Sequence, residues 1–197
     1  MKKVKVFFIG SALALLTFSS CGGGGVSEEF TKEINEFETA WTNTGIAYEG
    51  IMDSVKTTNA DWTSMHAEMK VPDTLIENLS EDRSKKLDSI KTICSTQNES
   101  CAAILKSLEE YKVNWDKETS AFAEWKDKVL KGEIDIETAK KDLVLYKTKL
   151  TEAGNKSTEA YNKLSELKVA CSGTCGLYDQ MVTALATEEP EPKKRGR

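Results

Sequence analysis

From Phe30 to Val55 one set of positions recurs in alternating steps of four and three: Phe30, Ile34, Phe37, Trp41, Thr44, Tyr48, Ile51 and Val55. That spacing keeps a single stripe of an α-helix turned toward a partner along its whole length, as in a coiled-coil seam. The series returns 74 positions later as Ile104, Leu108, Tyr111, Trp115, Glu118, Phe122, Trp125 and Val129, with its polar break at the same step (Thr44, Glu118). Residues are identical at this offset in Glu36/Glu110, Trp41/Trp115, Ala47/Ala121, Asp53/Asp127 and Val55/Val129. Any two amphipathic helices share an apolar period. Shared tryptophans and carboxylates are a stronger signal, and the chain reads as an internal duplication.

A second correspondence, offset by 77, pairs the segment Leu87 to Ser95 with Leu164 to Ser172; Leu, Lys, Cys and Ser coincide. Each unit then reads as an antiparallel helical hairpin, over about 27–99 and 100–175. In the first, a helix from Ser27 to Lys56 precedes a short one that Asn59 caps and that carries Trp62, Met65 and Met69. Pro72 stops it, and Asp73 or Ser80 restarts the chain toward Cys94. In the second, a helix from Ser100 ends at Lys131 with Gly132 just beyond, and Asp135 caps the return helix. That return carries the seam Leu143, Tyr146, Leu150, Ala153, Ser157, Ala160, Leu164, Leu167 and Cys171, with small residues where the partner is aromatic. After Cys175, Leu177, Tyr178, Met181, Val182 and Leu185 make a short closing helix. The predicted fold is all-α: an antiparallel bundle of long coiled-coil-like helices over 27–187, two tandem hairpins plus a short C-terminal helix. Residues 188–197, with Pro190 and Pro192, have nothing to bury and form a solvated tail.

The N-terminus carries a different message. Met1-Lys2-Lys3-Val4-Lys5 is basic, and Val6 to Phe18 is an apolar run of about 13 residues, too short to span a bilayer as a helix. Phe18-Ser19-Ser20-Cys21 follows, and the whole segment resembles the export signal of bacterial lipoproteins, with these four residues as the lipobox. The resemblance implies a signal peptide over 1–20 and a lipid-modified Cys21 bearing fatty acyl chains such as palmitate. It implies a short Gly tether over 21–26 and a membrane-anchored place in the cell envelope. Gly22 after the cysteine is similar to lipoproteins that proceed to the outer membrane, if the host is Gram-negative. Loss of Lys2, Lys3 and Lys5 leaves 24 of the 27 basic side chains against 32 acidic ones, a net charge of −8 on 177 residues. So acidic a domain lacks the basic stripe that a nucleic-acid partner or an anionic lipid face requires.

Four cysteines remain beyond Cys21: Cys94, Cys101, Cys171 and Cys175. An even number in an exported protein reads as disulfides, with three possible connectivities. The hairpin arrangement brings all four to one end of the bundle. The duplication favours the local pairs Cys94–Cys101 and Cys171–Cys175; pairing between hairpins is the alternative. A four-cysteine zinc site has poor spacing here.

No constellation for catalysis emerges. His66 is the single histidine. Met65, His66 and Met69 form a weak soft-metal candidate, suited to copper more than zinc, but read first as core methionines beside a half-buried imidazole. Glu118 falls on the seam, where with Ser157 it could set helix register or line a small pocket. The remaining carboxylates alternate with lysines on solvated faces. The four tryptophans Trp41, Trp62, Trp115 and Trp125 fall at core spacing. The expectation is a non-enzymatic lipoprotein with a structural or protein-interaction role, and no cofactor beyond the lipid. The alternative is a carrier of a small molecule or soft metal.

Overall fold

The structure, a computed structural model, describes residues 26–73 and 79–187. The signal segment, Cys21, the glycine tether and the C-terminal tail lie outside the described residues. Among the described residues three helices follow in order: α1 (Glu28–Glu68), α2 (Glu81–Leu130) and α3 (Ile136–Thr187). At 41, 50 and 52 residues they are roughly 60–80 Å long. No strand occurs among the described residues.

Each start has a local cause. The Ser27 hydroxyl accepts the Phe30 N–H at 3.2 Å, with Glu28 and Glu29 in the first turn facing the positive end of the helix dipole. Ser80 caps α2 in the same way through the Arg83 N–H, and Asp135 Oδ1 accepts the Thr138 N–H at 2.9 Å to open α3. Pro72 lies four residues past the end of α1. Between α2 and α3, Gly132 adopts φ 73°; its N–H reaches the Val129 carbonyl at 2.9 Å while the Glu133 N–H reaches Lys128 at 2.9 Å. This paired closure satisfies the last carbonyls of α2 and requires a left-handed residue that only glycine adopts without strain.

The all-helical bundle stands, but the expected interruptions do not occur. α1 runs through the Thr-Thr-Asn segment at 57–59, where a stop was expected at Lys56; α2 runs unbroken through Cys94 to Ser100, expected as the turn between two hairpins; and α3 continues through Gly173 and Gly176 to Thr187, where a separate closing helix was expected. The polar segments survive inside helices because their hydroxyls bond back one turn. Thr58 donates to the Ser54 carbonyl at 2.8 Å, Thr96 to Thr92 at 3.0 Å and Ser100 to Thr96 at 2.8 Å. The two glycines cost about 1 kcal/mol each, offset by Tyr178 and Leu185, which bury beyond them against Leu87 and Ile90.

The α1 seam from Phe30 to Val55 consequently meets α2 from Cys101 onward, not the 80–94 segment that a tandem-hairpin arrangement supplies. Trp41 stacks on Trp115 with centroids 4.2 Å apart, the Tyr48 hydroxyl donates to the Leu108 carbonyl at 2.6 Å, and the Cys101 thiol lies 3.8 Å from the Val55 carbonyl. As α1 ascends, its partners on α2 descend. α3 reverses again: Trp125 Nε1 donates to Asp142 Oδ2 at 3.2 Å, Glu118 pairs with Lys149, and Cys94 faces Cys175. α3 also runs beside α1, with Lys147 on Glu33 at 2.7 Å.

The core divides along this axis into three layers. The first is aromatic, built on Phe37, Trp41, Trp115, Phe122 and Trp125 against Leu143 and Ala153. The second holds Tyr48, Val55, Cys101, Leu108, Ala160 and Leu164. The third holds Met69, Leu87, Ile90, Cys94, Tyr178 and Leu185. Between the second and third, the buried side chains turn polar: Thr58 and Gln97 are 7% and 9% exposed.

Candidate functional site

That polar junction is where the thiols converge. Cys94 and Cys101 project from α2 on either side of Gln97, and Cys171 and Cys175 approach from α3. Cys94, Cys101 and Cys171 are buried while Cys175 is partly exposed. The sulfurs are not bonded to one another; Cys171 and Cys175 lie 3.4 Å apart, and Cys94 and Cys175 3.9 Å apart. Gln97 Oε1 and Asn59 Oδ1 are buried here without a hydrogen-bond partner. An orphaned acceptor weakens a layer, because its lost hydration is not replaced.

Burial governs the acidity of these thiols. It pushes Cys94 up to about 11, with the neighbouring Cys175 adding to the effect. Cys171 is pushed up to about 12, again by burial first and then by Cys175, Cys94 and Cys101 around it. Burial raises Cys101 too, opposed by the Lys168 ammonium. A folded thiol that holds its proton above the ordinary value of about 9 stabilises the fold below that pH. The contribution is lost as pH rises from 9 through 11 and 12. The reduced protein should therefore lose stability across this alkaline window, and Cys94→Ala/Cys171→Ala should lose less. Urea unfolding at a series of pH values measures both, and parallel profiles would show that these thiols are not burial-perturbed.

Beside the cysteines, along the faces of α2 and α3 that α1 leaves uncovered, runs an open groove of about 540 Å3. Ile104, Leu108, Ala160 and Leu167 form its floor, Ser100, Ala103, Ser107 and Ala170 its low walls, and Lys156, Glu159, Lys163 and Glu166 its charged rim. Small wall residues leave Ile104 and Leu167 on that floor partly exposed, while Leu108 and Ala160 belong to the core.

The other sequence candidates scatter. Met65 and His66 are half-buried near the end of α1, whereas Met69 is buried in the third core layer with Leu87 and Ile90. Among the described residues, no group of three or more His, Cys, Asp or Glu is placed to hold a metal ion. Glu118 and Ser157 do not share a layer. Glu118 pairs with Lys149, eight positions and roughly 12 Å before Ser157 on α3. Ser157 instead lines a shallow cleft against α1 with Asn43, Thr44 and Tyr161, its hydroxyl unpartnered. Trp41, Trp115 and Trp125 are core, at 3%, 7% and 6% exposure. Trp62 packs half-buried on the second layer.

The pair Cys94–Cys101 does not fit this fold. Seven residues of unbroken helix separate their backbones by roughly 10 Å along the axis, beyond the Cα reach of a disulfide at about 7 Å. Cys171 and Cys175, one turn apart on α3, are within reach. Sequence reasoning missed Gln97 and Thr58, although both fall on seam steps, three beyond Cys94 and Val55. No family model, curated protein or solved structure matches the chain.

Proposed function

We propose that the protein is an exported lipoprotein, anchored through acyl chains on Cys21, whose helical bundle serves as a protein-interaction module in the cell envelope. One observation carries this reading: a basic and then apolar run ending in Phe18-Ser19-Ser20-Cys21, which resembles a lipoprotein export segment, stands a few glycines ahead of the helix that starts at Glu28. The glycines over 22–25 give a leash of at most about 13 Å, so the bundle stands close to the membrane that its lipid enters. No described helix is long and apolar enough to cross a membrane. In a Gram-negative host the outer membrane is the destination consistent with Gly22.

The bundle itself we read as a product of duplication, fused through a continuous α2 instead of a turn. The repeat-equivalent Trp41 and Trp115 stack on each other, as equivalent residues do near a local two-fold between helices running in opposite directions. The groove between α2 and α3, apolar below and charged at its rim, suits an amphipathic helix of an envelope protein more than a catalytic role. Its volume of about 540 Å3 also keeps a second reading open, a carrier of a small apolar molecule.

Replacing the acylated residue tests the anchor. Cys21→Ala should move the protein from the detergent phase to the aqueous phase in phase partitioning and abolish labelling by a palmitate analogue. Retention in the detergent phase would refute the lipoprotein reading, whatever the bundle binds.

A further inference from the structure

We propose that the four cysteines form a two-rung disulfide ladder, Cys94–Cys175 and Cys101–Cys171, that staples α2 to α3 at the junction between the second and third core layers. The inference depends on the export reading only for where an oxidant is met.

The register of the two helices decides the pairing. Each step forward on α3 is matched by a step back on α2: Asp142 lies beside Trp125, Lys149 beside Glu118 and Cys175 beside Cys94. Carried along the same register, Cys171 stands level with Gln97, between Cys94 and Cys101. Cys175 stands about seven residues, roughly 10 Å, from the level of Cys101. Three pairings of four thiols exist. One needs Cys94–Cys101, which a continuous helix forbids. Another needs Cys101–Cys175, which the register forbids. The third sets Cys94 against Cys175, 3.9 Å apart, and leaves Cys101 for Cys171, whose level on α2 is four residues, roughly 6 Å, away.

Cys171 and Cys175 are the closest sulfurs, at 3.4 Å, yet they sit on one helix. Their Cα–Cβ bonds tilt the same way along α3 and run side by side, and joining them strands two buried thiols on α2. Cys94 and Cys175 lie on different helices with their sulfurs 3.9 Å apart, against a bonding distance of about 2.05 Å. Cys175, the one partly exposed thiol, is the point of entry for an oxidant. For each rung, a disulfide-bearing oxidant (a thiol oxidase or glutathione disulfide) accepts two electrons and two protons from two cysteine thiols. One cysteine S–S bond forms, the oxidant's S–S bond breaks, and two oxidant thiols leave.

The site also explains itself structurally. Apolar burial fails at this junction, where Thr58, Gln97 and Asn59 replace aliphatic side chains and two acceptors stand unpartnered. A covalent tie holds α2 to α3 where buried side chains turn polar, and it fixes the end of the groove that Ser100 and Ala170 form.

Refolding the full reduced chain in a glutathione redox buffer, then digesting with trypsin without reductant, tests the ladder. Cleavage at Lys91 and Lys106 isolates a peptide with Cys94 and Cys101; cleavage at Lys168 and Lys193 isolates one with Cys171 and Cys175. The ladder joins the two peptides, and further cleavage after Glu99 with fragment sequencing assigns Cys94 to Cys175. Separate peptides, free thiols on all four, or Cys94 joined to Cys171 would each overturn it. Among variants, Cys101→Ala/Cys171→Ala should keep the peptides joined, and Cys94→Ala/Cys171→Ala should not. The experiment needs no export, so a ladder without lipidation, or lipidation without a ladder, separates the two readings.

Discussion

Trp115→Ala should cost the bundle about 3–5 kcal/mol, the range for deleting a large buried aromatic. The indole is enclosed on every side. Trp41 stacks on it at 4.2 Å, and a Cβ at Gly45 would stand 3.2 Å from its Nε1, a tight contact that the glycine avoids. The neighbouring Phe37, Phe122, Trp125 and Tyr146 are locked to Trp41 and to one another at centroid distances of 5.1 to 5.8 Å. Three long continuous helices collapse little into the space one indole leaves, so the cavity persists and its lining loses dispersion contacts. Against a total stability of about 5–15 kcal/mol, the loss is a large fraction of the whole. Urea unfolding followed by circular dichroism measures it. Trp115→Phe should recover much of the loss, because a flat ring still meets Trp41. A Trp115→Ala midpoint within error of wild type would mean that the aromatic layer does not hold α1 on α2.

The seam residues were legible in the sequence because a 4-3 period has one physical cause, a stripe that must stay dry. Phe30, Ile34, Phe37, Trp41, Tyr48 and Val55 are all buried, as are Leu108, Trp115, Phe122, Trp125 and Val129. The helix ends at Ser27, Ser80, Gly132 and Asp135 were also readable, since each is a chemical solution to unpaired backbone groups. The breaks were misread. Thr57-Thr58-Asn59 and Ser95-Thr96-Gln97-Asn98 look like loops by composition, but the seam keeps its phase through them: 55, 58, 62, 65, 69 in α1 and 87, 90, 94, 97, 101 in α2. An unbroken phase over a turn would be a coincidence; within one helix it is required. Composition points to a turn there and phase to a helix, and the continuous helix carries the cysteines away from their expected partners. Which side chains fail to find hydrogen bonds, such as Gln97, depends on the register of three helices and is not written in any local spacing.

Oxidation of the four thiols should raise stability by about 4–5 kcal/mol over the reduced protein, because a bridge from Cys94 to Cys175 closes a loop of roughly eighty residues. Bridges confined to a single turn of the chain would give only about 2–3 kcal/mol on the same reasoning, so the size of the effect reports the topology independently of peptide mapping. The rung at Cys101–Cys171 closes little further chain once the outer rung exists, and it adds less. Most of the gain is a loss of freedom in the unfolded chain. The helical signal in native buffer should therefore be the same with and without reductant, while the melting temperature rises by roughly 10–20 °C on oxidation. The slope of unfolding free energy against urea should fall as well, since an unfolded chain tied across its middle exposes less surface. The reduced protein should open first at 81–100 and 172–187, where the third layer has no aromatic stack and sits behind the polar junction. Hydrogen exchange would show protection there collapsing toward that of a fraying end, with the segment around Trp115 unchanged. Reduction that shifts the unfolding free energy by less than about 3 kcal/mol would rule out a bridge between α2 and α3. It would leave α3's own pair, or none, as the oxidised form.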